Sequence, residues 1–470
     1  MESDSRSLEE HAEKLPLEVI GEILSRVRVA RDVIKASLTC KKWREAYGKH
    51  LHALSFDVAD FEFPKYQGSV PDIEMLVTKT ILQLPGLRKL SILMDVRYAF
   101  SAGLVLALLT LVRETLSELW YKVRTSTIVN VLDIFERQKL ESLSLSYYKI
   151  GRVEENSQRF PCLTSLSLCR VGISFDDLNR FLYALPNLES LKLDDPFLED
   201  SDNEYSSYSD SSYSGDSSDD EFFSPENVVK LRCPALKTLF LENMKLFQFI
   251  LESSSIEYLQ VEDCYFSSFK VYGSKTLRDF KISHSEAWLL EIEQTGKLES
   301  FEFVRSRVTH SNLFPMIQSP KLKRFRFWGF RKKYMRHIRG NEIILDNGSG
   351  IVLDSERMAI CSPQLRHLSI FCNEGLEGLL YKFGGPTSLE KVVVLEIGWD
   401  GFKGFGKWAE ELLKCCPNVK KVIVHWVIIP EKCNTMFLKN LTEQTSSINE
   451  MVGKYQNREI QVSLYDSGFD

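Results

Sequence analysis

A six-residue window of the form L-x-x-L-x-L recurs thirteen times between Leu87 and Val424, and no other feature restricts the fold as strongly. Typical copies are "LESLSL" at Leu140, "LTSLSL" at Leu163, "LESLKL" at Leu188, "LKTLFL" at Leu236 and "LKRFRF" at Leu322. Successive starts lie mostly 20 to 29 residues apart, with two longer gaps of 48 and 43. Apolar and polar residues alternate at period two inside each window, so each predicts a short strand with one buried face. A single unit cannot cover its own apolar face. Stacked units can.

An apolar residue often returns ten positions after the window start, at Ile150, Ile173, Leu246, Phe266 and Val308 among others. This is where a leucine-rich repeat places its next core residue. Between windows the period turns helical in places. In "SFDDLNRFLYALP", Ser174 and Asp177 read as a cap, with Leu178, Phe181, Leu182 and Leu185 on one face. The Asn or Cys expected eight positions after the window start occurs only at Cys264 and Asn373. The repeats are therefore irregular. The expected fold is an α/β solenoid, an irregular leucine-rich-repeat horseshoe over residues 51–429 closed by a C-terminal cap over 430–470.

Composition bounds the rest. With 470 residues, 44% hydrophobic and 26% charged, the chain can bury a large core. The longest apolar run, Phe100 to Val112, spans 13 residues. That falls short of the ~20 a membrane helix needs, so it reads as a buried helix, and no membrane partner is expected. Residues 1–14 are charged, lack the apolar core of a secretory signal and are expected to be disordered. Ten cysteines, single except for Cys415 and Cys416, form no Cys-x-x-Cys pair, so neither a disulfide framework nor a metal site is expected.

The net charge of -6 is concentrated. Asp194 to Glu221 holds eleven acidic residues and no Lys or Arg, which leaves +5 for the remainder. With so little apolar content this insert, 194–221, is expected to be disordered. Ser201, Ser207, Ser217 and Ser218 each precede an acidic residue by three positions, the pattern acid-directed kinases prefer. A second insert, 331–360, is basic at Arg331, Lys332, Lys333, Arg336 and Arg339. A solvated loop, an import patch and a polyanion contact all suit it, and no specific nucleic-acid partner is expected.

The first 50 residues read differently. Leu15 and Pro16 open a helix whose apolar residues are Ile20, Ile23, Leu24 and Val27. Asp32 opens a second helix, and "CKKWR" brings Cys40 and Trp43. L-P-x-E, I-L-S, D-x-x-x-A-S and C-K-x-W-R, in that order, resemble an F-box over residues 15–50. The chain as a whole is similar to plant F-box proteins with irregular leucine-rich repeats.

The resemblance implies that the F-box docks on a Skp-type adaptor and, through a cullin, joins a ubiquitin ligase. Leu15, Pro16, Ile20, Ile23, Leu24, Val27, Cys40 and Trp43 would then lie in the adaptor interface or support it. The repeats would recruit client proteins for ubiquitylation in the nucleus, the cytoplasm or both. A second reading is a leucine-rich scaffold that acts without ubiquitylation, with the F-box as an end cap.

Client selection would fall to the outward positions of the strands. Ser142, Ser144, Ser165, Ser167 and Ser190 give a small polar floor. Arg324, Arg326, Trp328, His367, Phe371, Lys421 and His425 put cations beside aromatics, a chemistry suited to an acidic or phosphorylated degron. Ordinary solvated surface is the competing reading. No residue pattern assigns a catalytic role: "GFKGFGKW" from Gly401 has neither G-x-G-x-x-G spacing nor a G-K-[ST] ending. A non-catalytic receptor without a cofactor is expected. Related hormone receptors hold a small molecule in such a solenoid, but no residue here points to one, nor to an inositol phosphate.

Overall fold

The computed structural model describes residues 15–58, 70–95, 98–153, 160–196, 227–293, 296–311, 319–328, 338–339, 342–343, 351–372, 379–383, 385–399, 405–428, 446, 449–450, 453–455 and 457–466. The disorder expected for 1–14, nearly all of the acidic insert, most of the basic insert and most of the region 430–470 fall outside these residues. The chain divides into two units, residues 1–217 and 218–470.

In the first unit three helices, Leu17–Val27, Ala30–Ser37 and Lys41–His50, precede six strands. These are Ala53–Asp57, Lys89–Leu93, Glu118–Lys122, Ser142–Ser146, Ser165–Cys169 and Ser190–Asp194. All pair in parallel without stagger, so Ser55, Ser91, Trp120, Ser144, Ser167 and Lys192 form one row. The alternation dictates the next row inward. Leu90, Leu119, Leu143, Leu166 and Leu191 stack there, all buried. The expected serine floor forms on the outward side, half-exposed.

Connections in this unit are helical where there is length for a helix. Phe175–Tyr183 starts as its sequence predicts: Ser174 Oγ accepts from the Asp177 amide at 3.1 Å, and Leu178, Phe181 and Leu182 are buried. The apolar run forms the helix Ala102–Val112, but only one side is covered. Val105, Leu108, Leu109 and Val112 are buried, whereas Leu106 and Leu111 are exposed, so the run is a one-sided packing helix and not a fully buried one.

The second unit carries nine parallel ladder strands, from Thr238–Glu242 to Glu459–Asp466. In-register Phe side chains stack inside: Phe301 on Phe325 at 5.5 Å and Phe303 on Phe327 at 5.1 Å. Each of the thirteen windows contributes a ladder strand, and two further strands flank them. "LHALSF" supplies Ala53–Asp57, and Glu459–Asp466 pairs with Lys421–Ile428, so the C-terminal region adds at least one ladder strand. Within the basic insert, Ile351–Asp354 is a strand and Ser355–Cys361 a helix capped by Asp354.

Between residues 228 and 311 the repeats are only 20 to 24 residues long, and the return segments are strands. Val228–Leu231, Lys245–Glu252, Tyr265–Tyr272, Glu286–Ile292 and Arg307–Ser311 make a second parallel sheet. The corner between the two sheets is a single left-handed residue seven positions after the window start. Asn243, Asp263, His284 and Arg305 have φ between 48° and 54°. A non-glycine residue there costs about 1–2 kcal/mol. The bend is offset by hydrogen bonds to the next strand, such as Asp263 N to Ser283 O at 3.1 Å and Arg305 N to Trp328 O at 2.7 Å.

One position further on, serine does what Asn or Cys was expected to do. The Cys264 amide donates to Ser285 Oγ at 3.0 Å, and the Ser285 amide donates to Ser306 Oγ at 3.1 Å. Both hydroxyls in turn donate to carbonyls of their own turns, Ser283 O and Val304 O. Both serines are buried. Ser285→Ala strands a buried amide and is expected to cost about 1–3 kcal/mol, read from the urea unfolding midpoint. Ser142→Ala on the half-exposed floor should change the same midpoint by less than about 0.5 kcal/mol.

Candidate functional site

The first helix has two apolar faces with different fates. Ile20 and Leu24, four residues apart, are fully buried with Ala30, Val33, Ala46 and Tyr47. The helix meets the third one at Gly21, where an added Cβ would lie 2.3 Å from His50 Cβ and 2.6 Å from His50 O. Only glycine admits that approach. Ile20 and Leu24 therefore support the motif from inside. One step round the helix, Val19, Ile23 and Val27 are 37–43% exposed in an i, i+4, i+8 stripe.

Pro16 and Leu38 are also exposed, and Leu15, Cys40 and Trp43 are half-buried. Val19 and Leu38 were not among the residues expected at an interface. Val19 was legible as the position four before Ile23. Leu38 follows the second helix and has no periodic signal.

The motif is locked to the first repeat. Ser25 Oγ accepts from the His52 amide at 2.9 Å, Ser55 N donates to Arg28 O at 2.7 Å, and Val29 bridges Ser55. These bonds fix the direction in which the stripe faces.

The second cluster lies on the ladder of the second unit. Arg324–Trp328, His367–Cys372, Val394–Trp399 and Lys421–Ile428 run side by side, placing Arg326, Ser369 and Glu396 in one row. Glu396 is only 7% exposed. It accepts from Arg326 Nη2 at 2.7 Å and from Ser369 Oγ at 2.9 Å, with His367 Nε2 at 3.1 Å from its other oxygen. Trp328 Nε1 donates to Ser369 Oγ at 2.5 Å, which continues the chain of polar contacts.

The predicted aromatics do not offer an accessible surface. Trp328 is 8% and Phe371 9% exposed, their rings 6.3 Å apart, and His425 meets Trp328 edge-on at 5.0 Å. The cause is Gly398, aligned with Phe371 and His425: a Cβ there would sit 2.3 Å from Phe371 Cδ2, so the missing side chain lets Phe371 lie over the strand.

The cations are also engaged. Arg324 and Arg326 stand 3.9 and 4.0 Å from Glu302, Arg326 and His367 face Glu396, and Lys421 is 3.0 Å from Glu459. An arriving anion must compete with these carboxylates. Glu396 was missed in the sequence, although it occupies the fifth place of "VVVLEI", as Arg326 does in "LKRFRF".

Burial by itself pushes the Glu396 carboxyl up, but the contacts from His367 and Arg326 more than reverse this and hold it well below the ordinary carboxylate range. His425 is shifted down, chiefly by burial, with Glu396 opposing and Arg326 adding to the shift. A depressed carboxylate contributes stability that is present above its ordinary value of 4.5 and lost as pH falls further. A depressed histidine adds a loss that begins as pH falls below 6.5.

The urea midpoint of the second unit should accordingly fall in two stages on acidification, one below about 6.5 and one below about 4.5. His425→Gln should remove the first stage. Glu396→Gln should cost about 2–3 kcal/mol at neutral pH and shrink the second, to which the lowered carboxyls of Glu299, Asp354 and Glu410 also contribute.

Comparison with known proteins matches this architecture. An F-box-like family pattern covers residues 12–51, and the leucine-rich-repeat pattern of the FBD-associated F-box protein At5g56370 covers residues 109–207. The F-box/LRR-repeat protein At1g67190 of Arabidopsis thaliana is 39% identical over 451 residues, 95% of this chain and 98% of that one. F-box-like domains generally bind Skp1-type adaptors, and F-box/leucine-rich-repeat proteins are generally non-catalytic adaptors for substrate recognition. An N-terminal F-box followed by ladders of leucine windows, matched along nearly its full length, places this chain in the plant F-box/leucine-rich-repeat family.

Proposed function

We propose that this protein is the substrate-recognition subunit of a Skp–cullin–F-box ubiquitin ligase. The observation that carries the reading is the exposed stripe of Val19, Ile23 and Val27 on a helix whose other face is locked by Ile20, Gly21 and Leu24. An apolar stripe held rigidly on a folded block needs little ordering when an adaptor covers it. Pro16 and Leu38 extend the same contact, and the half-buried Leu15, Cys40 and Trp43 border it. Ubiquitin transfer belongs to the partner enzymes. This chain contributes proximity, raising the local concentration of a client at the transfer site. On this reading it needs no cofactor and works in the nucleus or cytoplasm.

An end-cap role for the F-box is favoured by one observation as well. Its first two helices pack on the strand Ala53–Asp57, whose Leu54 and Phe56 are buried. Capping and docking use different faces and are compatible. For the client, the anionic degron expected at Arg324, Arg326 and Lys421 would have to displace Glu302, Glu396 and Glu459.

Ile23→Asp/Val27→Asp is expected to abolish co-purification with a Skp-type adaptor while leaving the unfolding midpoint within about 1 kcal/mol of wild type. Leu24→Asp should instead unfold the motif by burying an unpaired charge. Adaptor affinity unchanged in the Ile23/Val27 variant would leave capping as the role of the F-box.

A further inference from the structure

The helices Val70–Leu82 and Ala102–Val112 of the first unit lie side by side in consecutive repeats. The Ser101 amide at the head of the second donates to Glu74 Oε1 of the first at 2.7 Å, which ties one to the other. Their inner residues, such as Val77, Ile81, Val105 and Leu109, are buried. On the outside Met75, Leu76, Leu82, Leu106 and Leu111 are 41–59% exposed, with the exposed Gly103, Ala107 and Thr110 between the last two.

This outer face is unlike that of an ordinary solvated helix. Lys41–His50 in the same unit has Lys41, Arg44, Glu45 and Lys49 at its exposed positions. Ala102–Val112 carries no charge at all, and Lys79 is the single charge at the described exposed positions of its neighbour. The exposed parts of the five large side chains form an apolar patch of roughly 400–500 Å².

Two observations show that the described residues of this chain do not cover it. The next connection supplies a helix of only four residues, Val131–Ile134, too short to shield the far side of Ala102–Val112, and Ile128 ahead of it is exposed as well. A Cβ added at Gly103 would meet nothing within 4 Å. No packing inside the chain therefore requires glycine there, although glycine costs a helix backbone entropy.

The occupant that suits such a face is an identical one. A partner bearing charges would have to desolvate them against a surface with nothing to pair them, whereas a second copy brings only Lys79, on the flanking helix. Two copies of Ala102–Val112 crossing antiparallel, centred between Leu106 and Ala107, set Gly103 of each against Thr110 and Leu111 of the other. The space left by the missing side chain then receives a leucine. With the small residues and the rim included, two such faces bury about the 1,000 Å² at which a specific interface begins.

We propose that this face joins two copies of the chain in a two-fold dimer, with Ala102–Val112 crossing its own copy at the centre and Met75, Leu76 and Leu82 beside it. The dimer uses none of the F-box stripe, so it goes beyond the adaptor reading and does not rest on it. Under the substrate-receptor reading, two receptors in one assembly raise the apparent affinity for a client that presents its signal twice, without any new contact.

Sedimentation equilibrium of the full chain from about 1 to 100 µM tests the proposal. Wild type should follow a monomer–dimer equilibrium with a micromolar Kd, as an interface at the lower size limit implies. Leu106→Glu/Leu111→Glu places charge at the apolar centre, and Gly103→Leu fills the space that Leu111 of the copy needs. Each should weaken association at least about tenfold. Because Gly103→Leu meets open space in the monomer, the unfolding midpoint of dilute protein should be unchanged or raised, which separates lost association from lost fold.

Tyr183→Glu, at an exposed apolar residue outside the face, and Ile23→Asp/Val27→Asp, on the other apolar stripe, should dimerise like wild type. A wild type that stays monomeric throughout, as it would if a helix of a different protein were the occupant, overturns the proposal. So does undiminished association of either face variant, or loss of association in the Ile23/Val27 variant. Growth beyond dimers overturns it too, since a two-fold contact closes on itself. Adaptor binding is read separately: its absence in wild type removes the receptor reading and leaves the dimer standing.

Discussion

The unstaggered parallel register of the strands is the constraint on which the other features rest. Each residue is matched to one residue of the next repeat, so a side-chain type repeated in the windows becomes a continuous column. Leucine columns in the first unit and phenylalanine stacks in the second are the same device with different volumes. In seven of the repeats the chain turns at the same left-handed position, whereas the strands of the last three windows still contain that position. Left-handed residues such as Arg170 and His284 hand their amides to the following strand, and the hydroxyls of Ser285 and Ser306 close the next turn. The backbone strain at each corner is small beside the buried row it keeps aligned.

The F-box shows how one short helix serves two purposes without conflict. Its period places Ile20 and Leu24 on one side and Val19, Ile23 and Val27 on the adjacent side. The first pair is used up within the motif, where Gly21 permits a close crossing with His50. The second set stays exposed. Because Ser25, Arg28 and Val29 are bonded to the strand region at His52 and Ser55, the exposed stripe is held in a fixed orientation on the first repeat.

The ladder of the second unit shows how neighbouring strands change the meaning of a charge. Seen window by window, Arg324, Arg326, His367 and Lys421 are a basic set. Seen in register, each faces a carboxylate, and Glu396 becomes the hub of a buried network joining Arg326, Ser369 and His367. Such a network specifies geometry more than it adds stability, since two desolvated charges offset much of their own attraction.

Much of the fold was legible because period-two alternation and recurrent leucines are local properties. The sequence by itself determined the thirteen windows, the parallel ladder, the capped helix at Ser174 and the F-box, since each depends on which residues face inward within one element. The flanking strand at "LHALSF" was overlooked although it fits the window form as well as "LKRFRF" does. Tertiary structure alone decided that Trp328 and Phe371 are covered, that Glu396 neutralises Arg326, that serines take the place of Asn and Cys, and that Ile20 and Leu24 are sealed inside the motif while Ile23 and Val27 stay exposed. Those outcomes depend on what the adjacent strand or helix supplies, across 20 to 70 residues of chain, and no local pattern encodes the neighbour.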